Sequence, residues 1–134
     1  MLEGLNIRNN LITVLPKDFG NLNLLNKLES DNNQLQTLPQ SFVKLNKLRF
    51  IDLSKNKLTA FPECFKGFTQ LRDLALAQNN IGSIPEWIGD FKELITLDLS
   101  KTKANNFPNA IYSLKKLCLL HIESTEGTLS TEIG

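Results

Sequence analysis

The chain has 134 residues and a formal net charge of +1. That length suits a single domain, and a hydrophobic fraction of 41% is too high for a disordered chain. A nearly neutral chain has no strong field to attract nucleic acid or an anionic membrane surface, and no apolar run is long enough to span a bilayer. We therefore expect neither nucleic acid nor a membrane as a partner.

Leucine recurs at a fixed interval of 23 residues along the chain, and proline keeps the same interval. The leucines are Leu2, Leu25, Leu48, Leu71, Leu94 and Leu117. The prolines are Pro16, Pro39, Pro62, Pro85 and Pro108. A fixed period of this size indicates an array of one repeated unit rather than a globule with a unique core.

Each unit begins with a predicted strand, which the third unit shows clearly. Leu48 opens it, and Ile51 and Leu53 then alternate with polar residues, which is the period of a half-buried strand. Asn56 follows, and its amide can satisfy backbone groups at the turn that ends the strand. Equivalent asparagines predict a stacked ladder, which we expect to weaken where threonine replaces them. The ladder comprises Asn10, Asn33, Asn56 and Asn79, and the replacements are Thr102 and Thr125.

The second half of each unit predicts a short helical turn. In the third unit Pro62 ends strand pairing because it has no N–H to donate. Phe65 and Phe68, three residues apart, suit one 3₁₀ or helical turn with a single face turned inward.

The complete frame, L-x-x-L-x-L-x-x-N-x-L-x-x-L-P-x-x-F-x-x-L-x-x, closely resembles the leucine-rich repeat family. More specifically, it is similar to the 23-residue class that carries Leu-Pro, as in Ras-suppressor-like scaffolds and bacterial repeat proteins. The resemblance covers almost the whole chain in about six units. It implies an α/β leucine-rich-repeat solenoid, a curved right-handed coil with parallel strands on its concave face and short helical or 3₁₀ turns on its convex face.

Two departures from the frame leave alternatives open. Ser30 stands at a core position where the other units carry leucine or isoleucine; it is either a tolerated loss of burial or a water-holding notch beside a ligand site. Neither end shows a recognisable cap, and residues 127–134 resemble the start of another turn. The single domain, 1–134, is therefore either part of a longer array or a small protein that covers its ends by self-association.

The phase of the repeat also predicts which polar side chains lie on the concave face. An acidic cluster, formed by Glu29, Asp31, Asp52 and Asp73, should lie beside a basic edge that includes Lys55, Lys57, Lys101 and Lys103. Phe50 and Leu119 would be apolar anchors inside a charged rim. The alternative is a solvated face whose opposite charges offset one another. The predicted partner-binding residues are Glu29, Asp31, Phe50, Asp52, Lys55, Asp73, Asp98, Lys101, Leu119 and His121.

Catalytic and metal-binding patterns are missing from the sequence. His121 is the only histidine, and neither Cys64 nor a serine forms a recognisable nucleophile and base pair with it. There is no phosphate-binding loop, dinucleotide fingerprint, zinc spacing or EF-hand loop. Cys64 and Cys118 occupy different positions of their units, too far apart for a disulfide. We predict no enzyme activity, no cofactor and no metal.

The resemblance implies a module that binds a protein or peptide ligand through its concave surface. Two alternatives remain: the substrate-recognition part of a larger bacterial effector or enzyme, and a surface adhesive repeat protein. The first residues carry no signal-peptide pattern, so the chain as given predicts a cytoplasmic protein, with secretion or delivery into a host as the alternative. An excess of lysine over arginine and many asparagines favour an AT-rich, bacterial genome.

Overall fold

The computed structural model describes residues 1–123 and contains one parallel sheet of six short strands. The strands are β1 (Gly4–Asn6), β2 (Lys27–Glu29), β3 (Phe50–Asp52), β4 (Asp73–Ala75), β5 (Thr96–Asp98) and β6 (Leu119–His121). The predictions for Thr125 and for residues 127–134 lie outside the described part of the chain.

The strands follow one another in sequence order and pair with a constant shift of 23 residues. Leu28 pairs with Leu5 on one side and with Ile51 on the other, so the inward-facing residues form one column through the molecule. Hydrogen bonds between neighbouring units continue beyond the strands, as from the Leu53 N–H to the Ala75 carbonyl (2.9 Å) and from the Lys55 N–H to the Ala77 carbonyl (2.8 Å). The equal spacing of the units confirms the predicted repeat and its solenoid arrangement.

Five 3₁₀ segments lie opposite the sheet, as the sequence predicted. They are Phe19–Asn21, Gln40–Lys44, Glu63–Phe65, Glu86–Asp90 and Asn109–Ser113. In the last four, a proline in extended conformation comes directly before the turn, where its missing N–H costs no hydrogen bond. No helix of residues 1–123 is both long and apolar enough to cross a membrane.

The core lies between the sheet and the 3₁₀ segments and is rich in phenylalanine. The Phe42 ring lies 5.8 Å from both the Phe19 and the Phe65 ring centroids, so aromatic contacts join three successive units. Trp87, half-buried on the convex side, contacts Phe61 edge-on with a centroid distance of 5.4 Å. These contacts favour a packing role for Trp87.

The asparagine ladder forms in the middle of the array. The Oδ1 atoms of Asn33, Asn56 and Asn79 each accept a backbone N–H from the preceding unit, at 3.1, 2.9 and 3.0 Å. Each Nδ2 donates to carbonyls of its own unit and of the unit before. Thr102 instead donates to the Leu99 carbonyl and accepts weakly from the Ala104 N–H, so both hydrogen bonds described for it stay within its own unit. The ladder is therefore weaker at the fifth unit, as predicted.

The residue before each ladder position has a left-handed backbone, which the sequence analysis missed. Its φ lies between 55° and 58° in all five described units, at Asn9, Asn32, Lys55, Gln78 and Lys101. Asparagine tolerates this conformation better than lysine or glutamine does. The left-handed residue turns the chain out of the sheet after each strand, and Lys55 and Lys101 are exposed there.

Ser30 is fully buried at its core position, and its Oγ has no hydrogen-bond partner. Ser30 therefore buries less apolar surface than the leucine or isoleucine of the other units, and no hydrogen bond to its hydroxyl compensates for that difference.

Candidate functional site: the concave surface

The concave surface carries a net negative charge although the whole chain is nearly neutral. Six carboxylates and two cations lie on this surface. They occupy the outward-facing positions of the strands and the position two residues after the end of each strand. The carboxylates are Glu29, Asp31, Asp52, Asp73, Asp98 and Glu123, and the cations are Arg8 and Lys27. The surface is therefore acidic, and its charges are not evenly distributed.

Both cations lie toward the first strand and are already paired. Arg8 Nη2 lies 3.2 Å from Asp31 Oδ2, and Lys27 Nζ lies 3.5 Å from Glu29 Oε1. The Lys27 ammonium also lies 5.1 Å from the centroid of the Phe50 ring, close enough for a cation–π contact. Asp31 differs from the expectation of an exposed side chain, since it is only 8% exposed and its Oδ1 has no partner.

The remaining aspartates are held in place by neutral donors. The Ser54 N–H donates to Asp52 Oδ1 at 2.9 Å, and the Ser100 N–H donates to Asp98 Oδ1 at 3.0 Å. Thr96 Oγ1 donates to Asp73 Oδ1 at 2.6 Å. Across the part of the chain that the structure covers, no ion pair reaches these three aspartates. Their orientation is set by these hydrogen bonds rather than by ion pairs.

Burial raises the pKa of the Asp52 carboxyl above its ordinary value. The hydrogen bonds from Ser54 oppose that shift, and the neighbouring charge of Asp31 adds to it. The charge of Arg8 also opposes the shift, so the raised pKa of Asp52 reflects mainly the burial of its carboxyl.

A pocket of about 250 Å³ opens on the concave surface between β3 and β6. Ala75 forms part of its floor because it is the smallest side chain in a row where the neighbouring strands carry Asp52 and Asp98. Half of the ten predicted partner-binding residues meet here. The lining comprises Phe50, Ile51, Asp73, Leu74, Ala75, Thr96, Asp98, Leu119 and His121.

The other predicted residues lie outside this pocket. Glu29 and Asp52 face the same side of the sheet on β2 and β3, whereas Lys55 and Lys101 lie three residues beyond the ends of β3 and β5. Within residues 1–123, no ion pair joins the basic edge to the carboxylates. The alternative of a solvated face whose opposite charges offset one another stays a prediction, and the Arg8–Asp31 and Lys27–Glu29 pairs agree with it at the first two units.

Four residues of the pocket lining were not among the predicted partner-binding residues, namely Ile51, Leu74, Ala75 and Thr96. Ala75 carries no chemistry of its own, and only its place between longer side chains makes it the floor. The Thr96 contact had a detectable signal, because Asp73 and Thr96 occupy the same position in successive units and must lie side by side in a parallel sheet.

A second groove of about 380 Å³ lies on the other side of the molecule, between the second and third units. Its lining is mainly apolar and includes Leu38, Val43, Phe61 and Cys64. Burial raises the pKa of the Cys64 thiol to about 12, so this cysteine is not activated as a nucleophile. Cys64 and Cys118 are both free thiols.

No group of three or more histidine, cysteine, aspartate or glutamate side chains in residues 1–123 is arranged to hold a metal ion. The concave pocket can instead hold an elongated group that has an apolar stem and a polar or charged end.

Comparisons with known proteins agree with the fold. Two family models match the sequence, both described as leucine-rich repeat, over residues 30–81 and residues 1–22. A search of the curated proteins found no match.

Solved structures show the same fold at high similarity. A leucine-rich repeat protein of Leptospira interrogans has a TM-score of 0.91 at 31% identity, over 96% of this chain and 33% of that chain. A plant peptide hormone receptor, RGFR1 in complex with RGF2, has a TM-score of 0.85 at 34% identity, over 94% of this chain and 21% of that chain. An internalin of Listeria monocytogenes has a TM-score of 0.81 at 23% identity, over 94% of this chain and 36% of that chain. The chain spans about a third or less of the length of each.

Proposed function

The chain belongs to the leucine-rich repeat family, and on that premise we propose that it is a non-enzymatic module that binds a protein or peptide segment on its concave surface. The family is commonly used for protein interaction. One of the similar structures is described as a peptide hormone receptor in complex with RGF2.

The observation that carries the proposal is the concave pocket with its mixed lining. Phe50 and Leu119 provide apolar contact area at its two sides, and Leu119 is 53% exposed. Asp73 and Asp98 provide fixed acceptors between them. Apolar anchors inside a polar rim are the arrangement in which a few residues supply most of the binding energy of an interface.

The pocket is open along the row of strands, which suits an extended peptide better than a small molecule. A peptide backbone lying across β3 to β6 would place one or two side chains in the pocket and leave the rest on the sheet. The pocket lining is mainly apolar and open, and its Thr96 hydroxyl donates to Asp73 Oδ1, so we propose recognition rather than chemistry as its activity.

A selection from a display library of random 12-residue peptides tests this function with a matched pair of variants. Ala75→Trp fills the concave pocket, and Ala60→Trp places the same side chain in the groove on the other side of the molecule, where Ala60 is exposed. We expect peptides selected on the unmodified protein to bind Ala75→Trp at least tenfold more weakly and Ala60→Trp with unchanged affinity. Circular dichroism of both variants checks that they are folded.

The opposite pattern, in which Ala60→Trp abolishes binding and Ala75→Trp does not, would move the site to the convex groove. Failure to select any peptide that distinguishes the two variants would contradict peptide recognition by the concave surface.

Since the chain spans only part of the proteins it resembles, a role as the recognition part of a larger bacterial effector or enzyme is the second candidate. The bacterial origin of two of the similar structures favours it. The cytoplasmic localisation and self-association through the two ends stay predictions.

A further inference from the structure

We propose that the concave pocket is a receptor for a basic side chain, so that the ligand is a peptide or protein segment anchored by one arginine or lysine. This inference rests on the proposed function and adds the chemical class of the ligand to it. The occupant's aliphatic stem would lie against Phe50 and Leu119, and its cationic end would lie between Asp73 and Asp98.

The shape of the pocket favours a long side chain with an apolar stem. Its floor, formed by Leu74 and Ala75, and its sides, formed by Phe50 and Leu119, are carbon-rich, so a short polar group would leave them exposed to water. Arginine and lysine bury their methylene stems along such surfaces while the charged end reaches a polar group. The aromatic ring of Phe50 adds an attractive site for a cation.

The charges around the pocket select a cation over a neutral side chain. Asp73 and Asp98 line the pocket, Asp52 lies beside it, and none of the three has an ion pair within the described residues. Their carboxylates are already oriented by Thr96, Ser100 and Ser54, so an incoming cation meets acceptors that do not need to reorganise. Charge-assisted hydrogen bonds to preoriented carboxylates are among the stronger polar contacts available to a ligand.

The protein itself shows that this surface takes up basic side chains. Within the first units, Arg8 pairs with Asp31, and Lys27 pairs with Glu29 while its ammonium lies over the Phe50 ring. From β4 to β6 the corresponding positions carry Asp73, Thr96 and Leu119, and no lysine or arginine takes up that role. The pocket therefore lies in the part of the acidic surface where no lysine or arginine of the described residues pairs with a carboxylate.

The basic edge does not supply the missing cation. Lys55 and Lys101 are themselves left-handed residues that follow a strand, and both are exposed. Neither forms an ion pair in residues 1–123. Their exposed ammonium groups add positive charge near the carboxyl ends of β3 and β5, which disfavours an evenly basic ligand. The ligand that fits has one or two basic residues in an otherwise neutral or weakly acidic segment.

The test uses peptides selected from the random 12-residue library and begins with their composition. We expect arginine or lysine to be enriched at one position of the peptides that bind the protein and fail to bind Ala75→Trp. In a selected peptide, replacing that arginine by citrulline, or that lysine by norleucine, keeps the stem and removes the charge. We expect either exchange to weaken binding at least tenfold, measured by fluorescence anisotropy.

A set of protein variants assigns the effect to the pocket. Asp73→Asn and Asp98→Asn keep the side-chain volume and should each lower the affinity for the basic peptide at least fivefold, with little change for the citrulline or norleucine peptide. Asp90→Asn, an exposed aspartate in the fourth 3₁₀ segment, removes the same charge elsewhere and should leave the affinity nearly unchanged.

The outcomes separate this inference from the function on which it rests. Peptides that bind the concave pocket without a basic residue, or that tolerate the neutral exchange, overturn the basic anchor and leave peptide recognition intact. An equal effect of Asp90→Asn and Asp98→Asn would show long-range attraction instead of a receptor site and also overturns it. Failure of every selected peptide to respond to Ala75→Trp overturns both.

Discussion

Asn56 shows how one side chain holds two units of the array together. Its Oδ1 accepts the Leu35 N–H at 2.9 Å, and its Nδ2 donates to the carbonyls of Ser30 and Leu53, each at 3.0 Å. Leu35 and Ser30 belong to the preceding unit, so the amide satisfies buried backbone groups on both sides of the boundary. Buried backbone groups are costly to leave unpaired, which explains why asparagine recurs at this position.

Replacing Asn56 by alanine should lower the free energy of unfolding by about 3 kcal/mol, because several buried backbone groups lose their partner at once. Chemical denaturation with a fluorescence readout measures the change. Asn10→Ala is the matched control, since Asn10 is exposed and its described bonds go only to Ile7 and Arg8 of its own unit. Equal losses in the two variants would show that contact across the boundary contributes nothing.

Among the repeated elements, the 3₁₀ segments differ in how closely they approach one another. The Gly20 N–H donates to Ser41 Oγ at 2.9 Å, and a Cβ at Gly20 would overlap the Ser41 carbonyl oxygen. Gly89 is in a similar position against Ala110 but with more room, since its Cβ would lie 3.2 Å from the Ala110 Cβ. Glycine at this place in the unit therefore permits close packing of neighbouring turns.

Gly20→Ala should lower the free energy of unfolding by about 2 kcal/mol, because the added methyl forces the first two turns apart. Gly82→Ala is its control, as nothing lies within 4 Å of a Cβ placed there. Thermal unfolding of both variants provides the comparison. A Gly20→Ala protein as stable as Gly82→Ala would mean that the close approach of the turns is not a constraint in solution.

As a whole, the molecule is an array in which each unit contacts mainly its neighbours. Stability in such an array is approximately a sum over units and boundaries, so one weak boundary limits the cooperativity of the rest. The boundary between the fourth and fifth units lacks the asparagine contact, because the hydrogen bonds described for Thr102 within residues 1–123 go to Leu99 and Ala104 of its own unit. The units before this boundary should therefore unfold locally less readily than the units after it.

Thr102→Asn should restore the missing contact and raise the free energy of unfolding by about 1 kcal/mol. Native-state hydrogen exchange should show slower exchange for backbone amides of the fifth unit, such as that of Leu99. Slower exchange confined to the first three units, or no change anywhere, would show that the weak boundary lies elsewhere.

Much of the fold follows from the phase of the repeat, whereas the candidate site follows only in part. Leucine and proline spacing predicted the strands, the 3₁₀ turns and the asparagine ladder, because identical units must stack in register. The same phase placed Phe50, Asp73, Asp98, Leu119 and His121 on the concave surface, although it did not indicate that they meet in one pocket. That depends on the side chains around Ala75, which are long enough to form walls.

The sequence by itself determined which side chains face the core and which face the concave surface. A repeat of constant length leaves no freedom in that choice, since a shift of one residue would expose the leucines. Only the tertiary structure decided which of the outward charges are paired. Arg8 pairs with Asp31 of the neighbouring unit and Lys27 pairs with Glu29 of its own strand, while Asp73 and Asp98 have no ion pair within residues 1–123, and such pairing depends on side-chain length, orientation and burial.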